Sequence, residues 1–246
     1  MTAKTPRSRR ERPAKPALTR NGIVATAVDL MRAEGLSRVT MRRLAQELDT
    51  GPASLYVYVR NTAELHAAVL DEMLGAVDLG PARTPGAWRD RLVRVLTSYT
   101  TVLFENPGLA QSALVARPAG KHYLDLVEAL LSLLGEGGVP ARRAAWAVDL
   151  LLQYGTATAA EHAGKEGTTA RTGEWDAVAA ALRDASEQTH PHLAALGAEL
   201  LSGTGPERLA WGFHLLINGT LHTPRPDAGP AENDRPAPAA TEGHEK

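Results

Sequence analysis

The stretch Thr40–Val59, TMRRLAQELDTGPASLYVYV, admits few structures. Met41, Leu44, Ala45 and Leu48 fall at i, i+3, i+4 and i+7, one apolar stripe on a short helix, and the Thr40 hydroxyl is a suitable N-cap for it. Asp49-Thr50-Gly51 breaks the stripe: Gly51 permits the backbone angles of a tight turn, and Pro52 suits the first position of a new helix. Leu55 and Val59 then repeat at i, i+4, facing the first stripe, so the pattern predicts a helix-turn-helix. With those two side chains inward, Ser54 and Tyr58 project outward, flanked by Pro52 and Val57, and such small, hydroxyl and aromatic groups suit a DNA major groove. Arg42 and Arg43 on the polar side of the first helix, and Arg60 after the second, stand where phosphate neutralisation needs cations. The bland reading of the same residues is an αα-hairpin with a solvated basic face.

A chain of 246 residues with 43% apolar side chains can bury a real core and has room for two modest domains. Two Phe and five Tyr leave strand formers sparse, while Ala, Leu, Arg and Glu dominate the segments between Gly and Pro, which predicts an all-α fold. The absence of cysteine excludes disulfides, thiolate zinc sites and a Cys nucleophile, and is compatible with a cytoplasmic location. No apolar run follows the basic N-terminus and no segment approaches about eighteen uninterrupted apolar residues, so neither a signal peptide nor a membrane span is expected. The net charge of -1 conceals a division: residues 1–62 carry 12 Lys+Arg against 5 Asp+Glu, the remainder 15 against 23. This division suits a polyanion partner for the first part and a different task for the second.

In order, residues 1–17 are basic, proline-rich and have little to bury, which predicts a disordered arm. It could enter a minor groove or serve only as a solubilising tail. Thr19 opens a helix with Ile23, Ala27, Leu30 and Met31 on one face, stopped by Gly35. Asn61-Thr62-Ala63-Glu64 resembles a capping box and starts a longer helix to about Leu79, completing a DNA-binding unit over 18–79. Gly80-Pro81 and Thr84-Pro85-Gly86 mark a boundary, and 80–222 forms a second, helical domain. Its helices are expected from Trp88 to before Pro107, over 108–115, 120–134, 140–163, 175–189, 192–201 and 206–221, with a mobile loop over 164–173 and a disordered tail over 223–246.

These residues resemble the TetR family of transcriptional regulators. TRNGIVATAVDLMRAEGLSRVTMRRLAQELDTGPASLYVYVRNTAELHAAVLDEML covers that family's three-helix DNA-binding domain and its connecting helix. The second half resembles the tetracycline-repressor subgroup in Trp88 to Tyr99, ARPAGKHY from Ala116, Gly155 to Glu161, and HPHLAALGAELL to Trp211. The resemblance implies base or phosphate contacts from Arg42, Pro52, Ala53, Ser54, Tyr56, Val57 and Tyr58, with Thr62 at a backbone-contacting position where relatives often carry Lys. It also implies a ligand cavity, in which Arg117-Pro118, Glu161 and an aromatic at Tyr99 are kept. Ala113, Asp78, Val95 and Ala129 stand where tetracycline repressors place magnesium- and drug-contacting groups. A magnesium-tetracycline effector is therefore not expected, and a less polar molecule is.

Beyond the resemblance, Trp88, Tyr99, Trp146, Tyr154, Trp211 and Phe213 line an effector cavity or simply fill the core and a dimer interface, since large aromatics dominate both. Gln153, His162 and His214 interrupt apolar helices and could orient a ligand. Glu161, His162, His190 and His192 match no compact metal-ligand spacing, and no nucleophile elbow, P-loop, dinucleotide loop or His-Glu-x-x-His helix occurs, so neither metal, cofactor nor catalysis is expected. The broad apolar stretches 144–160 and 209–221 fit a four-helix dimer interface or the centre of a monomer. The reading is a homodimeric repressor of a double-stranded DNA operator, released by a small-molecule effector through residues drawn from Trp88, Tyr99, Arg117, Trp146, Gln153, Tyr154, Glu161 and His214. The alternative is a regulator whose second domain only dimerises or binds a protein partner.

Overall fold

The computed structural model describes residues 17–116, 118–163 and 169–226, with side chains at all of these except 163 and 169–175. Every regular element within them is helical, as the composition predicts. The expected basic arm before residue 17 and the tail beyond 226 lie outside the described residues.

Helix α1 (Arg20–Glu34) begins at Thr19, whose side chain accepts the Gly22 N–H at 3.1 Å, and stops at Gly35 with φ 86°. A 3₁₀ turn, Leu36–Arg38, leads to α2 (Met41–Glu47), where the Thr40 hydroxyl accepts the Arg43 N–H at 3.2 Å. Helix α3 (Pro52–Leu55) has Pro52 in its first turn. The turn before it rests on a different residue than expected. Asp49 takes the left-handed angle, φ 48°, while Gly51 is extended at φ -80°, ψ 144°, because a short carboxylate side chain also tolerates that region.

The stripe predicts α3 through Val59, and the helix ends a turn earlier. Tyr56, Val57, Tyr58 and Val59 are aromatic or β-branched and hold a helix poorly; the N–H groups of Tyr58 and Val59 both fall back on the Leu55 carbonyl, at 2.9 and 3.0 Å. Helix α4 (Thr62–Leu74) ends at Gly75 rather than near Leu79. Its N-cap Asn61 accepts the Glu64 N–H at 2.8 Å, but the Glu64 carboxylate reaches one residue further back than a capping box, to the Arg60 N–H at 2.9 Å.

The rest comprises α5 (Trp88–Phe104), α6 (Pro107–Ala113), α7 (Lys121–Glu136), α8 (Ala141–Ala163), α9 (Thr169–Arg183), α10 (Pro191–Leu200) and α11 (Gly205–His222). Residues 169–173, expected in a loop, are helical: alanines dominate the later turns of α9, and Gly173 costs only about 1 kcal/mol against alanine. Residues 164–168 lie outside the described residues. Helix α8 is the centre, packing against α5, α6, α7 and α11, whereas α9 pairs with α10. Leu92, Leu96, Leu103, Leu126, Leu130, Leu151 and Phe213 are fully buried between these helices. Buried Arg91 ties the second domain's entry to its core, donating to the Thr84 carbonyl at 3.0 Å and to the Glu136 carboxylate. None of the described helices is long and apolar enough to cross a membrane.

The α5–α8 contact is close because Gly155 has no side chain: a Cβ there would stand 2.6 Å from Thr100 Oγ1 and 3.4 Å from the Tyr99 ring. Gly155→Ala is expected to lower the unfolding free energy by about 1–3 kcal/mol through overpacking. Urea denaturation of the single variant and of Gly155→Ala/Thr100→Ala checks this, the second change recovering part of the loss.

Candidate nucleic-acid interface and effector cavity

The turn and α3 present one exposed surface. Leu55 and Val59 are buried, so Pro52, Ala53, Ser54, Tyr56 and Val57 face solvent, Val57 at 80% and Tyr56 at 53% exposure. Tyr58, expected to project outward, is half-buried against the core, and Thr62 is half-buried in the first turn of α4. The early end of α3 rotates the side chains beyond Leu55 away from the helical phase, which makes Tyr56 the more exposed tyrosine.

The arginines differ in what already holds them. Arg42 is exposed and forms no hydrogen bond or ion pair among the described residues. Arg43 is committed: its guanidinium donates to Glu34 at 2.5 Å and to Glu47 at 2.8 Å, binding the end of α1 to both ends of α2. That pairing holds Glu34 below the ordinary glutamate range and raises Arg43. The Arg60 side chain is 88% exposed and spends one N–H on Glu64 at 3.0 Å. Glu64 is also held low, first by the Arg60 backbone N–H and then by its guanidinium. Lowered carboxylate values mean that both ties are whole above the ordinary glutamate range and loosen as pH falls through the lowered values.

A cavity opens in the second domain where α4, α5, α6, α7 and α8 converge. Leu70 and Leu74 of α4, Ala113 of α6, Leu114, Ala116, Pro118, Tyr123 and Leu152 supply most of its wall. Tyr99, Asp149, Gln153 and Thr156 add polar groups, with Tyr99 Oη 2.6 Å from Thr156 Oγ1. It leaves about 60 Å³ for the centres of water-sized molecules, enough for a few waters. Of the aromatic and polar candidates, the structure brings Tyr99 and Gln153 to this cavity.

The others have different surroundings. Half-buried Trp88 lies over Gly137 at the end of α7. Tyr154 meets Phe213 edge-on at 5.2 Å and donates to the Arg208 carbonyl at 3.3 Å, joining α8 to α11. Trp146 is 52% exposed with the Arg225 guanidinium 4.1 Å from its ring centre. Glu161 and His214 are exposed, and Arg117 lies outside the described residues. His162 meets Phe104 edge-on at 5.0 Å. Sequence reasoning missed Asp149, Thr156 and Tyr123. The available signal was the polar row Asp149, Gln153 and Thr156 at i, i+4 and i+7 through the mostly apolar middle of α8. Among the described residues no group of three or more His, Cys, Asp or Glu could hold a metal ion.

Residues 23–69 match the family model for bacterial regulatory proteins of the tetR family, and residues 80–223 match that for the tetracyclin repressor-like C-terminal domain. The chain belongs to the TetR family. Members of this family are non-enzymatic regulators. A transcription regulator from Streptomyces, known as a crystal structure, is 58% identical, with TM-score 0.74 over 87% of this chain and all of that one. ActR of Streptomyces coelicolor, solved in complex with actinorhodin, is 33% identical, with TM-score 0.74 over 84% of this chain and 96% of that one. The repressor DrrR1 of Streptomyces coeruleorubidus is 31% identical over 69% of this chain and 63% of its own length. A regulator from Saccharopolyspora erythraea is 32% identical over 50% of this chain and 52% of its own. The chain thus spans only about half to two thirds of these two curated relatives.

Within the TetR frame, the ion pairs of Arg43 and the lack of any on Arg42 among the described residues predict separable roles for the two. Losing one phosphate contact should reduce the slope of log binding constant against log salt by about 0.9. Arg42→Ala and Arg60→Ala are expected to weaken DNA binding, with a shallower slope where a phosphate contact is lost. Arg43→Ala should leave the slope unchanged and lower the thermal unfolding midpoint, and titrations at four salt concentrations with a melting curve for each variant check the contrast.

Proposed function

We propose that this chain is a homodimeric repressor that binds a palindromic DNA operator and is released by a small molecule entering the cavity beneath α4. The observation that carries the reading is that one helix serves both sites. Leu70 and Leu74 of α4 form part of the cavity wall, while the same helix packs on α1, and His66 Nε2 donates to the Val39 carbonyl at 2.8 Å just before α2. Two further links join the domains. The Asp71 carboxylate of α4 accepts the Tyr123 N–H of α7 at 3.0 Å, and α6 lies against the 3₁₀ turn where Gly108 faces Leu36. An open crevice of about 840 Å³, lined by Arg20, Glu64, Glu72 and Lys121 among others, separates the domains elsewhere and leaves the first one room to swing.

Pockets that hold drug-sized ligands measure about 300–1,000 Å³, so a ligand of that size parts the walls of this smaller cavity. Displacement of α4 then re-aims α3. Full release by population shift, from 99:1 to 1:99, needs an effector that favours the displaced state by about 10⁴-fold. ActR, solved in complex with actinorhodin, supports a small-molecule effector, and DrrR1, a transcriptional repressor by name, supports the repressor sign.

A dimer accounts for the outer faces of α8 and α11. Trp146 and Leu150 are each 52% exposed, Trp211 is 68% and Leu215 54%, an i, i+4 pair on each of two packed helices. A second copy covers them as a four-helix arrangement and sets two α3 helices about 34–36 Å apart, one turn of DNA. Selection of bound sites from random duplexes tests the proposal. Wild-type protein should recover a palindrome, Arg42→Ala should bind it more weakly by about 1–3 kcal/mol where a guanine contact is lost, and Trp211→Glu should sediment as a monomer and lose palindrome selection. Enrichment of no sequence at all would overturn the operator reading.

A further inference from the structure

The charge of the cavity lining points to a chemical class of effector, an inference that rests on the cavity being the effector site. Asp149 is the lone charged side chain among the described lining residues, which include no Lys, Arg or His. Its carboxylate has no hydrogen bond or ion pair among the described residues. It stands at the solvent-exposed end of the polar row on α8, one turn from exposed Gln153, while Thr156 and Tyr99 are buried at the inner end. Most of the remaining wall is aliphatic, with the Tyr99 and Tyr123 rings on α5 and α7.

A ligand long enough to reach from the inner end to the mouth removes water from the Asp149 carboxylate. Desolvating an unpaired carboxylate is costly, and a cation on the ligand offsets that cost where a neutral or anionic group does not. We propose that the effector is a largely apolar ring system bearing a protonated amine, its rings among Leu74, Tyr99 and Tyr123 and its ammonium group on Asp149, with Gln153 as a second polar contact. Asp149 thereby determines specificity: it selects amines and rejects carboxylates of the same shape.

Three probes with one ring system test this: 9-(aminomethyl)anthracene, 9-anthracenemethanol and anthracene-9-carboxylate, titrated by fluorescence into the full chain and into Asp149→Asn. The exposed position of Asp149 lets the variant keep its fold, and a circular dichroism melt matching the wild type establishes that it has. The expected result is binding of the amine about tenfold tighter than the alcohol, with the carboxylate weakest. In Asp149→Asn, amine and alcohol should bind equally, the alcohol more tightly than to the wild type because no carboxylate is left to desolvate. Binding of the alcohol without an amine preference, an amine preference that survives Asp149→Asn, or a preference for the carboxylate overturns this inference and leaves the cavity as an effector site. Failure of all three probes to bind a protein that still holds its selected operator overturns the cavity reading and this inference together.

Discussion

Everything in this molecule depends on α4 being packed from two directions at once. Its buried residues Leu65, Val69, Leu70, Met73 and Leu74 belong to one continuous apolar cluster that runs from Ile23 in the first domain to Ile217 in the last helix. Burial of this kind contributes about 25 cal/mol per Å² and has no directional preference, so a short helix can be held by two domains without belonging to either. Direction comes from the polar links, His66 to Val39 on one side and Asp71 to the start of α7 on the other. The Asp71 contact is also electrostatic, because it places a carboxylate where the unsatisfied N–H groups of α7 concentrate positive potential.

The basic surface of the first domain is less basic than its arginine count. Two of its three candidate cations are partnered by carboxylates of the same domain, and each partnership lies where helix meets helix or cap meets turn. A single exposed pair contributes little stability, whereas Arg43 forms two at once, with Glu34 and Glu47. Their effect is to fix orientation: Arg43 locks α2 against α1, and Glu64 stiffens the bend between α3 and α4. Arg42 is left unpartnered among the described residues, beside an exposed apolar tip formed by Ala53 and Val57, and in the proposed complex these meet the DNA. Arginine suits guanine and methyl-bearing side chains suit the thymine methyl, so the chemistry of that edge already contains a preference.

Local signals in the sequence carried most of the helical architecture. Thr19, Thr40 and Asn61 were legible as caps because each is a short polar side chain before an apolar stripe, and each accepts the expected N–H. Errors arose where two residues competed for one job. Asp49 and Gly51 could both have taken the left-handed angle, and glycine is the stronger prior but the wrong one. The apolar spacing of Leu55 and Val59 is met without the helix continuing between them, since a 3₁₀-like turn brings both inward. The cavity was hardest to read. Its wall comes from five helices far apart in sequence, and an aromatic such as Tyr154 has the same local signature whether it lines a void or seals α8 onto α11.

In the proposed dimer, the exposed tryptophans on α8 and α11 make the abundance of this protein a thermodynamic variable. Covering that face with a second copy is bimolecular, so the folded dimer gains on the unfolded chain as total concentration rises, and the melting temperature rises with it. At low copy number the same face is wet, and the chain is both less able to span two half-sites and closer to unfolding. On the proposed reading, scarcity therefore weakens repression twice, through occupancy and through the persistence of the protein itself.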